Sequence, residues 1–233
     1  MNLPFFYHTS PITEQCVSLD EASSRHIAQV LRMQAGEALH LTDGLGVLYT
    51  AVIALAHKRN TEVRITEKVV HARQGRSVSI AISLLKNRAR FEWFLEKATE
   101  LGVQHIYVMC CERSEKEQAR SERLQQILIS AMLQSRQCWL PVLHGPASFT
   151  ETIESITATQ KLIAHCAPDE NKDHLSIMEL SNDVALFIGP EGDFTNAEIE
   201  QSLKAGFKAV TLGENRLRTE TAGVAAAALL CLR

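Results

Sequence analysis

Two strand–loop–helix units follow one another directly between residues 184 and 231, and they constrain the fold more than any other feature of the chain. Val184-Ala185-Leu186-Phe187-Ile188 is a continuous apolar run of strand length. It leads through a glycine-bearing loop into residues 196–205, where Ala197, Ile199 and Leu203 recur near helical spacing. Thr195 with Glu198 three residues on fits a capping box, and Gly206 is placed to stop the helix. Residues 207–212 then read as a second strand, and Thr219 can cap a second, alanine-rich helix. Two such units in tandem predict a parallel sheet with both loops at the carboxyl ends of their strands. Open α/β sheets bind ligands at that edge.

What the two loops lack narrows their chemistry. No G-x-x-x-x-G-K-[ST] is present, which argues against a Walker-type phosphate cradle, and no G-x-G-x-x-G joins a strand to a helix. Gly44-Leu45-Gly46 leads into residues 47–55, which look like more strand, so it reads as a hairpin turn. A dinucleotide site and the usual Rossmann-type methyl donor site are therefore disfavoured. There remain two irregular loops offering backbone N–H and C=O groups. Pro190 stiffens one, while Gly189, Gly192 and Gly213 allow close backbone approach. Such a surface can hydrogen-bond a purine edge and wrap a compact ligand.

The pattern changes near residues 70–77. Residues 38–42, 47–54 and 61–69 read as short strands and 26–33 as a short helix, a small and mostly β unit. After the polar stretch 71–76, strands at 78–85 and 105–109 alternate with helices at 91–101 and 122–134. We therefore expect domains at 1–72 and 73–233. Cys16, Cys110, Cys111, Cys138, Cys166 and Cys231 form no C-x-x-C pair and the histidines no H-x-x-x-H, so we expect no metal, and thiols held in a reducing cytosol. No stretch approaches membrane-spanning length, and a cytoplasmic protein is expected.

At the two loops the residues become specific to a family. Gly189-Pro190-Glu191-Gly192-Asp193-Phe194, followed by Leu212-Gly213 and Leu217-Arg218-Thr219-Glu220-Thr221-Ala222, resembles the RsmE family of SPOUT enzymes, bacterial 16S rRNA uridine-N3 methyltransferases. Glu92-Trp93, Lys97-Ala98-Thr99-Glu100-Leu101-Gly102-Val103, and His26 with Val30-Leu31-Arg32 carry the match upstream. The resemblance implies an α/β protein with a trefoil-knotted parallel-sheet domain preceded by a small PUA-like β-barrel. It also implies S-adenosylmethionine as methyl donor, a homodimer, and 16S rRNA in the small ribosomal subunit as substrate.

Methyl transfer to uridine N3 needs positioning, an unpaired base, and a group that stabilises the uridinate or takes its proton. Arg218 is the first choice for the uridinate, against a salt bridge to Glu220 or Glu214 that merely fixes the loop. Glu220 is a candidate to orient Arg218 or accept the proton, although an acidic residue in a first helical turn also serves the dipole. By the resemblance, His165, Ile188, Gly189, Pro190, Glu191, Gly192, Leu212, Gly213, Asn215 and Leu217 are the donor-binding candidates. Arg25, Arg32, Lys86, Arg88, Arg90 and Arg216 are the RNA-binding candidates. Gly223, within an alanine-rich face, allows close helix packing, in a core or in knot or dimer contacts. Lys97 and Glu100 are spaced for pairing on one helix face.

The net charge of −3 is not the footprint of a protein that binds RNA chiefly by phosphate attraction. The basic candidates suit recognition of a folded ribonucleoprotein by shape. Departures from the family are specific: its arginine falls on Gln137, Asp193 stands where a glycine is commoner, and Asn215-Arg216-Leu217 replaces the commoner Arg-[IV]-Leu. Another RNA target, or a non-catalytic small-subunit RNA-binding factor, are the alternatives. A hydrolase is the weakest, with no nucleophile elbow.

Overall fold

The computed structural model describes residues 3–114, 121–168 and 172–232. It consists of two compact units. The first holds the chain up to Arg73 together with Met132–Leu140, a stretch that a division by sequence alone keeps with the second. The second holds Gln74–Ala131 and Pro141–Arg233.

In the first unit, β1 (Phe5–Tyr7), β2 (Cys16–Ser18), β3 (Ala38–Thr42), β4 (Val47–Leu55) and β5 (Glu62–Val70) form a curled sheet in the order β1-β3-β4-β5-β2. Only β1 and β3 pair in parallel. Tyr49, Ala51 and Ile53 alternate inward along β4, as the two-residue period of a strand requires, and meet Leu39, Leu41, Ile27 and Val63 in one core. The helix expected at 26–33 starts earlier, as α1 (Glu21–Arg25), because the Asp20 side chain accepts the Ser23 N–H. It then widens into a π-helical stretch over His26–Leu31 that ends at Arg32 in the left-handed region, φ +55°. The Gly44-Leu45-Gly46 hairpin turn has φ of +73° at Gly44 and +91° at Gly46. A Cβ on Gly46 would collide with the Trp139 indole, and the Gly46 N–H donates to the Cys138 carbonyl at 2.7 Å, so residues 138–140 close over the turn.

The second unit runs β6 (Ser77–Ser83), α2 (Arg88–Leu101), β7 (His105–Cys110), α3 (Ser121–Gln134), β8 (Val142–Ser148), α4 (Phe149–Ser155), β9 (Gln160–Ala164), β10 (Asp173–His174), β11 (Asp183–Ile188), α5 (Asn196–Lys204), β12 (Lys208–Thr211) and α6 (Thr219–Cys231). The sheet order is β10-β12-β9-β11-β6-β7-β8, parallel at every pairing. Central β11 is buried on both faces, which is why its sequence is apolar without alternation. On one face Phe187 and Ala185 join Phe149, Ile153, Ile199 and Phe207. On the other, α6 lies on β6, β11 and α2.

The helix ends follow from local chemistry. Thr195 and Glu198 form the expected capping box of α5, and Gly206 follows it at φ +86°. The cap expected at Thr219 is one residue off: Thr219 is the first helical residue and is buried, and Arg218 occupies the cap position with no side-chain cap bond. Gly223 lets α6 approach α2, since a Cβ there would stand 2.6 Å from Cε2 of Phe94. Lys97 and Glu100 pair at 2.9 Å on the surface of α2.

Candidate functional site

Three neighbouring strands set the site. Their register puts Ala164, the last residue of β9, beside Ile188 of β11 and Val210 of β12. The chain therefore leaves all three strands at one level, and the segments 165–168, 189–195 and 212–218 emerge side by side at the carboxyl edge of the sheet. They meet the first turn of α6 around a cavity of about 340 Å³. Its wall includes His165, Ile188, Gly189, Pro190, Glu191, Leu212, Gly213, Asn215 and Leu217, together with Arg216 and Arg218. Ala164, Cys166, Asp193, Val210, Thr211, Thr219 and Ala222 also line it. None of these seven was singled out from sequence as a site residue; the strand-end positions of Ala164, Val210 and Thr211 were the available signal.

The loops are tied by side chains reaching across them. Arg113, just after β7, donates from Nη1 to the Gly192 carbonyl at 2.8 Å, and the Cβ position of Gly192 lies 3.3 Å from its Cδ. Gly192 thus packs on Arg113 and is not part of the wall. Glu198 serves its capping box through Oε2, while Oε1 accepts the Glu112 N–H at 2.9 Å, which ties the start of α5 to the same β7 loop. Arg216 reaches the Glu191 carbonyl at 3.4 Å and so bridges the two glycine-bearing loops.

Arg218 is exposed at the wall, and among the described residues no ion pair joins it to Glu220 or Glu214. Glu220 is not at the wall. It is buried between α6 and α2, where Oε1 stands 3.5 Å from Nε of Arg90 and Oε2 has no hydrogen-bond partner among the described residues. The proximity of Glu220 to Arg218 in sequence does not bring them together, because in the first turn of a helix residues two apart point to different faces.

A shallow basin adjoins the cavity at the start of α2. Lys86, Arg88 and Arg90 line it with Asn87, Ala89 and Glu191, so Glu191 borders both depressions. In the first unit Arg25 is exposed and paired with Glu21 one turn before it, and Arg32 is exposed at its left-handed position. Gln137, where the family arginine was expected, donates to Oγ of Ser135 at 3.1 Å.

The cavity falls at the lower end of the roughly 300–1,000 Å³ common for small-molecule sites. Its wall mixes apolar side chains from Ile188, Val210, Leu212 and Leu217 with exposed charges of both signs, and Gly213, at φ +149°, leaves its Cβ position open. A compact ligand with an apolar ring and polar ends fits that wall.

Comparison with known proteins gives the same picture. Residues 72–231 match the family described as RNA methyltransferase domain, and residues 19–66 that described as RNA methyltransferase PUA domain. The chain is 31% identical to ribosomal RNA small subunit methyltransferase E of Synechocystis sp., over 93% of this chain and 73% of that protein. The probable rRNA-methyltransferase of Porphyromonas gingivalis superposes with a TM-score of 0.90 at 39% identity, covering 99% of this chain and all of that one. Ribosomal RNA small subunit methyltransferase E of Neisseria gonorrhoeae, bound to S-adenosyl methionine, superposes with a TM-score of 0.87 at 31% identity over 97% of this chain and 96% of that one.

Proposed function

This chain belongs to the RNA methyltransferase family of ribosomal RNA small subunit methyltransferase E, and from that premise we propose that it methylates N3 of a uridine in 16S rRNA with S-adenosylmethionine as donor. The observation that carries this reading is the cavity at the ends of β9, β11 and β12, in a chain that follows an S-adenosyl methionine-bound relative over nearly its whole length. When bound, the donor supplies a methyl group on a cationic sulfonium. The chain's own residues do the rest. Ile188, Leu212 and Leu217 offer an apolar seat and the backbone of the glycine-bearing loops offers hydrogen bonds, while Glu191 puts an acidic side chain at the rim. Arg218 faces the same space with a guanidinium that stays charged and presents paired donors to the O2 or O4 oxygen of a uridinate. Glu220 acts at one remove, fixing Arg90 at the edge of the basic basin.

The acceptor enters from that basin in this reading. Lys86, Arg88 and Arg90 meet RNA phosphates, and Glu191 marks where the basin and the donor cavity adjoin. Arg216, Arg25 and Arg32 complete the RNA-binding set, with the first unit as the PUA-like RNA-binding domain and the second as the methyltransferase domain. A homodimer is supported by the partly exposed apolar side of α6, where Val224, Ala225, Ala228 and Leu229 are only half-buried and Leu232 is 71% exposed. A trefoil knot is supported by the strand order: β11 inserts between β9 and β6, β12 pairs on the far side of β9, and α6 returns to β6 and β11. Six free cysteines suit a reducing cytoplasm.

The decisive experiment incubates the protein with radiolabelled S-adenosylmethionine and small ribosomal subunits lacking the modification, then identifies the labelled nucleoside. Label in 3-methyluridine is expected. Label in another nucleoside overturns the acceptor, and donor binding without transfer points to a non-catalytic factor.

The thiols give an independent check on the donor site. Burial pushes the Cys111 thiol up to about 12 and the Cys231 thiol up to about 11, whereas Cys16 and Cys166 are exposed. At pH 8, iodoacetamide should alkylate Cys16 and Cys166 first and spare Cys111 and Cys231. S-adenosylmethionine should slow reaction at Cys166, in the cavity wall, and leave Cys16 unaffected. Peptide mass mapping reads both results, and equal protection of the two exposed thiols would count against this donor site.

A further inference from the structure

Asp193 holds the backbone conformation that favours glycine, φ +61°. Asp tolerates that region better than most residues, yet the strain still needs a compensation. Both carboxylate oxygens provide one. Oδ1 accepts the N–H of the next residue, Phe194, at 2.9 Å, a local bond that shapes the turn. Oδ2 accepts the Cys166 N–H at 2.8 Å, and this bond leaves the loop altogether. It reaches the segment after β9 and joins two of the three segments around the cavity.

The same segment is held from its other side. Lys172 Nζ donates to the His165 carbonyl at 2.8 Å and to the Ala167 carbonyl. Cys166 therefore has its N–H on an anion while the carbonyls flanking it lie on a cation, both of them side chains. His165 and Cys166 line the cavity, so that stretch of wall is positioned by Asp193 and Lys172. We infer that Asp193 is a positioning residue for the methyl donor, locking the 165–167 turn against the 189–194 loop through Cys166. The inference rests on the donor reading above.

Asp193→Gly separates positioning from stability, because glycine relieves the backbone strain while deleting the cross-loop bond. The expected result is a loss of S-adenosylmethionine affinity of roughly tenfold by calorimetry, with an unchanged or raised Tm. The Cys166 amide should also exchange its hydrogen faster in Asp193→Gly, since its acceptor is gone. Asp193→Asn keeps one carbonyl oxygen for the Cys166 N–H and should recover most of the affinity. Lys172→Met should weaken donor binding in the same direction. Wild-type affinity in Asp193→Gly overturns the inference, and so does a parallel fall of affinity and Tm, the mark of a merely structural residue. A wild-type protein that binds no S-adenosylmethionine overturns the donor reading and this inference with it, whereas a donor-binding wild type paired with an indifferent Asp193→Gly overturns the inference alone.

Discussion

Arg218→Ala should lower the rate of methyl transfer by roughly 10²–10³-fold, the usual loss when one donor to a developing oxyanion is removed. Uridine N3 is a poor nucleophile until its proton leaves, and the charge that remains is spread over O2 and O4. In its proposed role the Arg218 guanidinium, at the wall of the cavity, lowers the energy of that state and leaves neutral uridine almost unaffected, so the effect belongs in kcat. Donor affinity should stay within about threefold of wild type, since the role proposed for the arginine is on the acceptor. Arg218→Lys keeps the charge and loses the paired geometry, and an intermediate rate is expected. Titrating donor by calorimetry and measuring single-turnover methylation of small subunits separates these contributions. A loss of donor affinity as large as the loss of rate would reassign Arg218 to the donor's own wall.

Gly223→Ala should destabilise the second unit. The added Cβ would lie 2.6 and 2.7 Å from two ring carbons of Phe94 and 3.0 Å from Cδ1 of Ile82. Phe94 and Ile82 are both fully buried, so neither has solvent to turn into. Overpacking of this kind costs about 1–3 kcal/mol, which for a chain of this size lowers Tm by roughly 2–4 °C per kcal/mol. The consequence reaches the proposed function because Thr219 and Ala222, on the same helix, line the cavity assigned to the donor under that proposal. Pushing α6 away from α2 should therefore weaken donor binding as well. Phe94→Leu in the Gly223→Ala background should restore part of the stability, and a coupling energy near zero between the two changes would contradict the packing assigned here.

The elements readable in advance were those whose causes lie within a few residues. Thr195 and Glu198 are three apart, so the α5 capping box was visible as a pair of letters. The apolar run of β11 announced a strand, and Gly206 announced the end of a helix. Both glycine-bearing loops were placed at strand ends by the same local reading, and most of the cavity wall follows from them. The helix at 26–33 was misplaced because its start is set by Asp20, six residues before that span begins, and π-helical widening has no periodic signature.

Sequence alone thus determined the strand–loop–helix alternation, the position of the glycine-bearing loops and the family. Tertiary structure alone decided which side chains serve those loops. Arg113 braces Gly192 from 79 residues away, Asp193 holds Cys166 across 27, and Glu220 turns from its sequence neighbour Arg218 to Arg90 on another helix. Residues 132–140 likewise join the first unit by closing over Gly44 and Gly46. The physical reason is common to all four. Periodicity and capping record interactions between near neighbours along the chain, whereas a hydrogen bond or ion pair between distant residues exists only once the fold has brought them together, and it leaves no spacing by which to find it.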